Sequence, residues 1–239
     1  MALSGAAPSP WLVLFDIDGT LLKCGPQIRD IFYGALEATF GTAGPIADYD
    51  FAGRTDHGIV LDLMSAAGFG EAEILGRLGE FADLYIERLD ARLDPAGMRR
   101  MPGVPELLER LSRRADVLLG LLTGNFERGA RIKLARVGLD RFFTFGAFGD
   151  GAAVRSMLPP VALERARRER VGIEVERVLI VGDSVLDVEC ARAHGLCSLA
   201  VATGYTTAQR LAAAGADLVV ADLLEAERSH PLFAAPVSA

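Results

Sequence analysis

The sequence is nearly without lysine. Of its 25 basic residues only Lys23 and Lys133 are lysines, leaving 25 − 2 = 23 arginines, so chemistry that needs a reactive amine has two side chains to draw on. Cysteine is scarce as well. Cys24, Cys190 and Cys197 form no CxxC pair and leave an odd thiol, which argues against a disulfide framework and for a reducing cytoplasm. His57, His194 and His230 show no ligand spacing, so zinc is not expected. No apolar run approaches the ~20 residues needed to span a bilayer. Residues 1–10 lack a basic flank and the apolar stretch 11–15 is too short for a signal core, so a soluble, cytoplasmic protein is expected. No GxGxxG follows an expected strand, which sets aside dinucleotide binding. With 32 acidic against 25 basic residues the net charge is −7, and neither nucleic acid nor an anionic membrane is expected as a partner.

What remains is the composition of an ordinary globular chain. The 239 residues are 51% apolar and 24% charged, and with 17 aromatics the core must rest mainly on Ala, Leu and Val. Continuous apolar runs at 12–15, 117–122, 142–145, 178–181, 198–202 and 218–220 read as strands buried on both faces. Helix-like stretches lie between the later ones, at 104–112, 128–137, 161–170, 185–194 and 208–213. That alternation predicts an α/β domain with a mainly parallel sheet covered by helices on both sides. Residues 26–96 break the rhythm, reading as helices at 27–39, 55–67 and 71–93 with no strand among them. The expected organisation is an α/β core of residues 11–24 and 97–232, an inserted helical unit of residues 25–96, and frayed ends at 1–10 and 233–239.

Three strand ends carry candidate chemistry. The run Leu12-Val13-Leu14-Phe15 leads into Asp16-Ile17-Asp18-Gly19-Thr20. Side chains at i and i+2 of an extended chain point the same way, so Asp16 and Asp18 should emerge together. An Asx-type turn explains one of these aspartates well and two poorly. The run 178–181 leads into Gly182-Asp183-Ser184, with Asp187 one turn into the following helix; Asp183 also reads as an ordinary helix N-cap. Thr123-Gly124-Asn125 ends the run 117–122 and offers a hydroxyl and backbone N–H groups to a phosphate, although the same triplet is common turn chemistry. A parallel sheet would bring all three to one edge, where open α/β sheets bind ligands. Four carboxylates converging there require a cation, and an all-oxygen, Asp-rich set suits Mg²⁺. Metal, hydroxyl and backbone donors together describe a phosphoryl-transfer site.

These motifs resemble those of the haloacid dehalogenase superfamily. Asp16-Ile17-Asp18-Gly19-Thr20, Thr123, and Gly182-Asp183 with Asp187 are similar to its first, second and fourth motifs, in order, strand context and spacing (123 − 16 = 107; 183 − 123 = 60). The insertion resembles the helical cap of the phosphoglycolate-phosphatase-like branch. The resemblance implies a doubly wound sheet with the first strand near its centre. It also implies Mg²⁺ held by Asp16, Asp18 through its main-chain carbonyl, and Asp183, with Asp187 close by. The third motif departs from the family pattern: neither lysine stands where the family places one, and the best match is Arg155, ahead of the helix expected at 161–170.

On this resemblance Asp16 is the nucleophile on a small phosphorylated metabolite, and Asp18 the acid and then the base. Thr123 with the Gly124 and Asn125 amides holds the phosphoryl group, and Arg155 offsets its charge. In the insertion, Gly53-Arg54-Thr55-Asp56 is the most polar, turn-like stretch; Arg54 is a candidate for an anionic substrate tail, and Thr55 a candidate helix N-cap. Asp18 argues against carbon–halogen cleavage, and the lack of lysine in 26–96 argues against a Schiff-base route. A phosphoglucomutase-like phosphotransferase stays open. So does, from another class, a receiver-like switch phosphorylated on Asp16 without turnover.

Overall fold

The chain is described by a computed structural model over residues 9–170 and 172–234. The first apolar run forms β1 (Trp11–Phe15), followed by a short β2 (Leu22–Lys23). Three helices come next: α1 (Gln27–Phe40), α2 (Asp56–Ala66) and α3 (Glu71–Arg92). The chain then returns through β3 (Arg99–Arg100), α4 (Val104–Ser112), β4 (Val117–Leu122), α5 (Glu127–Arg136) and β5 (Gly146–Ala147). It continues as α6 (Leu158–Glu169), β6 (Val178–Gly182), α7 (Val185–Ala193), β7 (Cys197–Val201), α8 (Ala208–Ala213), β8 (Leu218–Val220) and α9 (Leu223–Ser229).

Six strands form one parallel sheet in the order β5-β4-β1-β6-β7-β8, which puts β1 between β4 and β6. Successive side chains of a strand face opposite ways, and β1 uses both faces. Val13 and Phe15 join the cluster that includes Leu107 and Leu108 of α4, Leu134 of α5 and Ala226 of α9. Leu12 and Leu14 join Ala162 and Ala166 of α6 and Cys190 and Ala191 of α7. A strand buried on two sides has no place for polar residues until it ends, and in β1 the first one is Asp16.

Several expectations are revised. The strand expected at 142–145 is displaced: 140–142 is a 3-10 turn, and pairing with β4 is made by Gly146 and Ala147. Phe143 and Phe145 are buried for a different reason, filling core on either side of an irregular segment, and Phe143 meets Phe15 edge to face at 6.1 Å. Helix α6 starts at Leu158, ahead of the expected 161, because Pro159 and Pro160 occupy its first turn, where no intrahelical N–H is needed. The β2–β3 pair and α9 were not anticipated. Residues 1–8 and 235–239 of the expected frayed ends lie outside the described residues, but Phe233 is fully buried and its carbonyl accepts a hydrogen bond from Arg110 at 2.9 Å.

Helices α1 and α2 both pack on α3, and α3 also meets α5. An aromatic group made of Phe32, Phe81, Tyr85 and Phe126 runs from the helical insertion to the start of α5. Polar contacts close the same seam. Thr55 caps α2 by accepting from Gly58 N at 3.0 Å while its hydroxyl donates to the Ala153 carbonyl at 2.9 Å. Asp56 N–H donates to the Gly124 carbonyl at 2.7 Å, and its carboxylate accepts from Phe126 N at 2.8 Å. Burial pushes the Asp56 carboxyl up to about 6, against the opposing pull of Lys133 and of the Phe126 N–H.

A carboxyl whose folded-state value lies above its unfolded 3.8 favours the fold when protonated, and that contribution fades as pH rises from about 4 to 6. Relative to Asp56→Asn, the wild-type protein should therefore lose on the order of 3 kcal/mol of unfolding free energy between pH 4 and 7. Urea unfolding of both proteins across that range checks it; a pH-independent difference would show that Asp56 does not titrate in this interval.

Candidate active site

The sheet ends as β1, β4 and β6 deliver their first polar residues to one edge. Phe15 sits opposite Leu121 and Val181, so Asp16, Thr123 and Asp183 follow within two residues of a common level. Asp16 N–H donates to the Val181 carbonyl at 2.9 Å, tying its backbone to β6. The chain then reverses through residues 17–22, where the N–H groups of Thr20, Leu21 and Leu22 converge on the Ile17 carbonyl. Gly19 at the bend has φ 92°, and a β-carbon there would stand inside the Asp183 carboxylate. Only glycine gives both the left-handed turn and the room for that carboxylate.

Asp16, Asp183 and Asp187 are buried, and one carboxylate oxygen from each lies within 4.8 Å of the others. Arg155 reaches between them: its Nη2 lies 2.8 Å from Asp16 Oδ1 and 2.5 Å from Asp187 Oδ1, and it donates to the Leu122 carbonyl at 3.0 Å. Asp187 closes a capping box with Ser184, whose N–H and hydroxyl both donate to its Oδ2, and it does not line the cavity. Asp183 Oδ1 accepts from Thr20 Oγ1 at 3.3 Å. Burial is the largest influence on Asp16, raising it to about 6; Arg155 pulls it down, while Asp187 and Asp18 push it up. Asp183 is raised well above its ordinary value by burial and then by Asp16 and Asp187. Arg155 is raised, because Asp187 and Asp16 outweigh the effect of its own burial.

Asp18, although only two residues from Asp16, has a different partner. Its Oδ2 lies 2.7 Å from Lys133 Nζ and 2.8 Å from Asn125 Nδ2. Asn125 also donates to Thr123 Oγ1 at 2.8 Å and accepts from Lys133 at 2.6 Å. Gly124 is where the helical insertion meets this loop: the Arg54 carbonyl occupies the space a β-carbon would need.

The residues singled out from sequence are thus brought together, Asp187 standing behind the others. Asp16, Asp18, Thr123, Gly124, Asn125, Arg155 and Asp183 line a cavity of about 820 Å³ beneath the insertion, and Arg54 of the insertion lines it too. Arg54 is not free: its Nη1 is 2.9 Å from Asp62 and its guanidinium stacks over Tyr49 at 5.2 Å. The contacts of Lys133 with Asp18 and of Asp56 with the start of α5 are not expected from the sequence. A signal for Lys133 was there, since Gly129, Ala130, Lys133 and Leu134 form the buried stripe of α5 and a lysine on an apolar stripe needs a reason.

If Asp16, Asp18, Asp183 and Asp187 are all ionised they carry −4, and Arg155 with Lys133 returns +2. The remainder of −2 equals the charge of one divalent cation, and the all-oxygen donor set of Asp16, Asp183 and Asp187 suits a hard one.

The haloacid dehalogenase-like hydrolase family model matches residues 12–195. The chain belongs to that family. It is 31% identical to a phosphoglycolate phosphatase of Mesorhizobium japonicum over 82% of this chain and 84% of that protein. It is 30% identical to a phosphoglycolate phosphatase of Synechococcus elongatus over 90% of this chain and 95% of that one. A solved hydrolase from Pseudomonas syringae shares the fold at a TM-score of 0.67 and 22% identity, covering 95% of this chain and 100% of that structure. As a haloacid dehalogenase-like hydrolase, the protein is an enzyme, with its doubly wound core and acidic sheet edge in the places described.

Removing one of the crowded carboxylates separates metal affinity from stability. In metal-free buffer Asp183→Asn should melt at or above the wild-type temperature, because a buried like charge is gone. Millimolar Mg²⁺ should raise the wild-type Tm and leave the variant's unchanged. An equal Mg²⁺ shift in both proteins would place the binding elsewhere.

Proposed function

We propose that the protein is a Mg²⁺-dependent phosphohydrolase that cleaves a small phosphomonoester through an aspartyl-phosphate on Asp16. The supporting observation is the division of two neighbouring carboxylates between two buried cations. Arg155 holds Asp16 at the inner wall, while Asp18 is turned to Lys133 and remains 42% exposed toward the cavity. This division supports a reading in which one carboxylate attacks phosphorus and the other handles the proton of the departing oxygen.

In this reading an Asp16 oxygen forms a bond to phosphorus as the bond to the leaving oxygen breaks, and Asp18 gives that oxygen its proton. A water then attacks the phosphorus, Asp18 takes its proton, and Asp16 is released with inorganic phosphate. Thr123 and the Gly124 and Asn125 amides bind the phosphoryl oxygens, and Arg155 balances the charge gathered beside Asp16. Asp16, Asp183 and the Asp18 main-chain carbonyl would hold Mg²⁺, with Asp187 steadying that set from behind. When bound, the ion offsets repulsion between the nucleophile and the phosphate. The helical insertion acts as a cap that excludes water. Relatives named phosphoglycolate phosphatase, and Arg54 on the cap wall, favour a short phosphorylated acid as substrate.

A panel of small phosphomonoesters, assayed with Mg²⁺ and with chelator, tests the reaction class. Catalytic phosphate release that needs the metal is expected; a single equivalent of phosphate per chain would favour a phosphorylated switch instead. Asp18→Asn should fold normally yet accumulate phosphoenzyme or lose turnover, and a wild-type rate would refute its assigned role. Arg54→Ala should raise KM for a carboxylate-bearing substrate roughly 10-fold with kcat little changed; an unchanged KM removes Arg54 from substrate binding.

A further inference from the structure

Lys133 is not one of the four motif positions, yet it is the group most closely applied to Asp18. It lies on α5, eight residues beyond Asn125, and is only 2% exposed. Burial would lower its basicity, but the opposing charge of Asp18 foremost more than reverses this, and Lys133 is raised. Its Nζ contacts Asp18 Oδ2 and Asn125 Oδ1, and Asn125 Nδ2 completes a closed triangle by donating to the same Asp18 oxygen. Thr123 Oγ1 fixes the Asn125 amide from the other side. Among the described residues, no nitrogen or hydroxyl donor reaches Asp18 Oδ1, and the Cys24 thiol is a further neighbour of this carboxylate. One oxygen of Asp18 is thus held by two donors, and the other is left for the cavity.

A purely structural ion pair gives a weaker account of this arrangement. The Asp18 side chain is 42% exposed, so water could satisfy it, and a Met or Leu on the apolar stripe of α5 would fill the space without desolvating an ammonium. Lysine brings a compact charge on a flexible stem that can enter such a stripe end-on, where the broad planar guanidinium of arginine could not. In a chain with 23 arginines and two lysines, this is a place where arginine would not serve.

The geometry points to Lys133 as a positioning residue for Asp18. Together with Asn125 it fixes the Asp18 rotamer so that Oδ1 faces the leaving oxygen, and it ties the proton-handling group to the Thr123 loop that holds the phosphoryl group. This rests on the reading of Asp18 as the group that protonates the leaving oxygen. The consequence is selective: a misaimed acid slows expulsion of a poor leaving group and hardly affects a good one.

The test compares kcat/KM, which ends at expulsion of the leaving group, for an alkyl phosphate and for p-nitrophenyl phosphate, in wild type, Lys133→Met and Asp18→Asn. Lys133→Met should lose at least about 30-fold more kcat/KM on the alkyl ester than on the nitrophenyl ester, in the same direction as Asp18→Asn. Lys133→Arg should not restore the ratio. If Asp18→Asn shifts the ratio while Lys133→Met lowers both esters equally, or neither, Lys133 is only structural and the role of Asp18 stands. If Asp18→Asn itself leaves the ratio unchanged, the acid role fails, and the positioning role with it. Should Lys133→Met not fold, Asn125→Ala perturbs the same triangle, and an unshifted ratio there overturns the proposal.

Discussion

Everything at the sheet edge answers to one electrostatic problem. Parallel strands buried on both faces can place polar groups only where they end, and β1 and β6 end on aspartates within a few ångströms of one another. Such groups repel, and burial raises the free energy of each charge. Arg155 meets part of that demand from the inner side, bridging Asp16 and Asp187, and Lys133 meets another part by drawing Asp18 away. With all four carboxylates ionised, what is left around Asp16 and Asp183 is a deficit of two positive charges, which a divalent cation would fill, and only a site so neutralised receives an anionic phosphate oxygen well.

The helical insertion is fitted to this edge by main-chain contacts as well as by aromatic packing. The Asp56 amide bonds to the Gly124 carbonyl, the Arg54 carbonyl lies against Gly124, and Thr55 reaches Ala153. The Thr123 loop therefore has the sheet on one side and the insertion on the other. Any side chain at 124 would hold the two apart, which accounts for glycine at that position.

The sheet and its acidic edge were legible because both follow from short-range rules. Runs such as Val117–Leu122 and Val178–Gly182 are continuous because both faces are buried, and Asp16 and Asp183 come where those runs stop. The helices of the insertion showed themselves by periodicity. The pairing of β2 with β3 could not be read in this way, since two residues rich in Lys and Arg carry no strand pattern and pair only because the chain returns to the same place. The aromatics around Phe143 resemble a strand in sequence because burial and strand pairing look alike in one dimension. Lys133 was missed for a similar reason: its meaning depends on Asp18, 115 residues away, and only its place on an apolar helix face marked it as unusual.

The β2–β3 pair has a mechanical consequence. The chain enters the insertion through Leu22–Lys23 and comes back through Arg99–Arg100, and the two crossings are hydrogen-bonded to each other, with Met101 N–H also bonded to the Leu21 carbonyl. Two separate tethers would let the helices swivel; a ribbon resists torsion and flexes chiefly across its width. The insertion is joined to the core by a ribbon that resists twisting, which holds its alignment over Asp16.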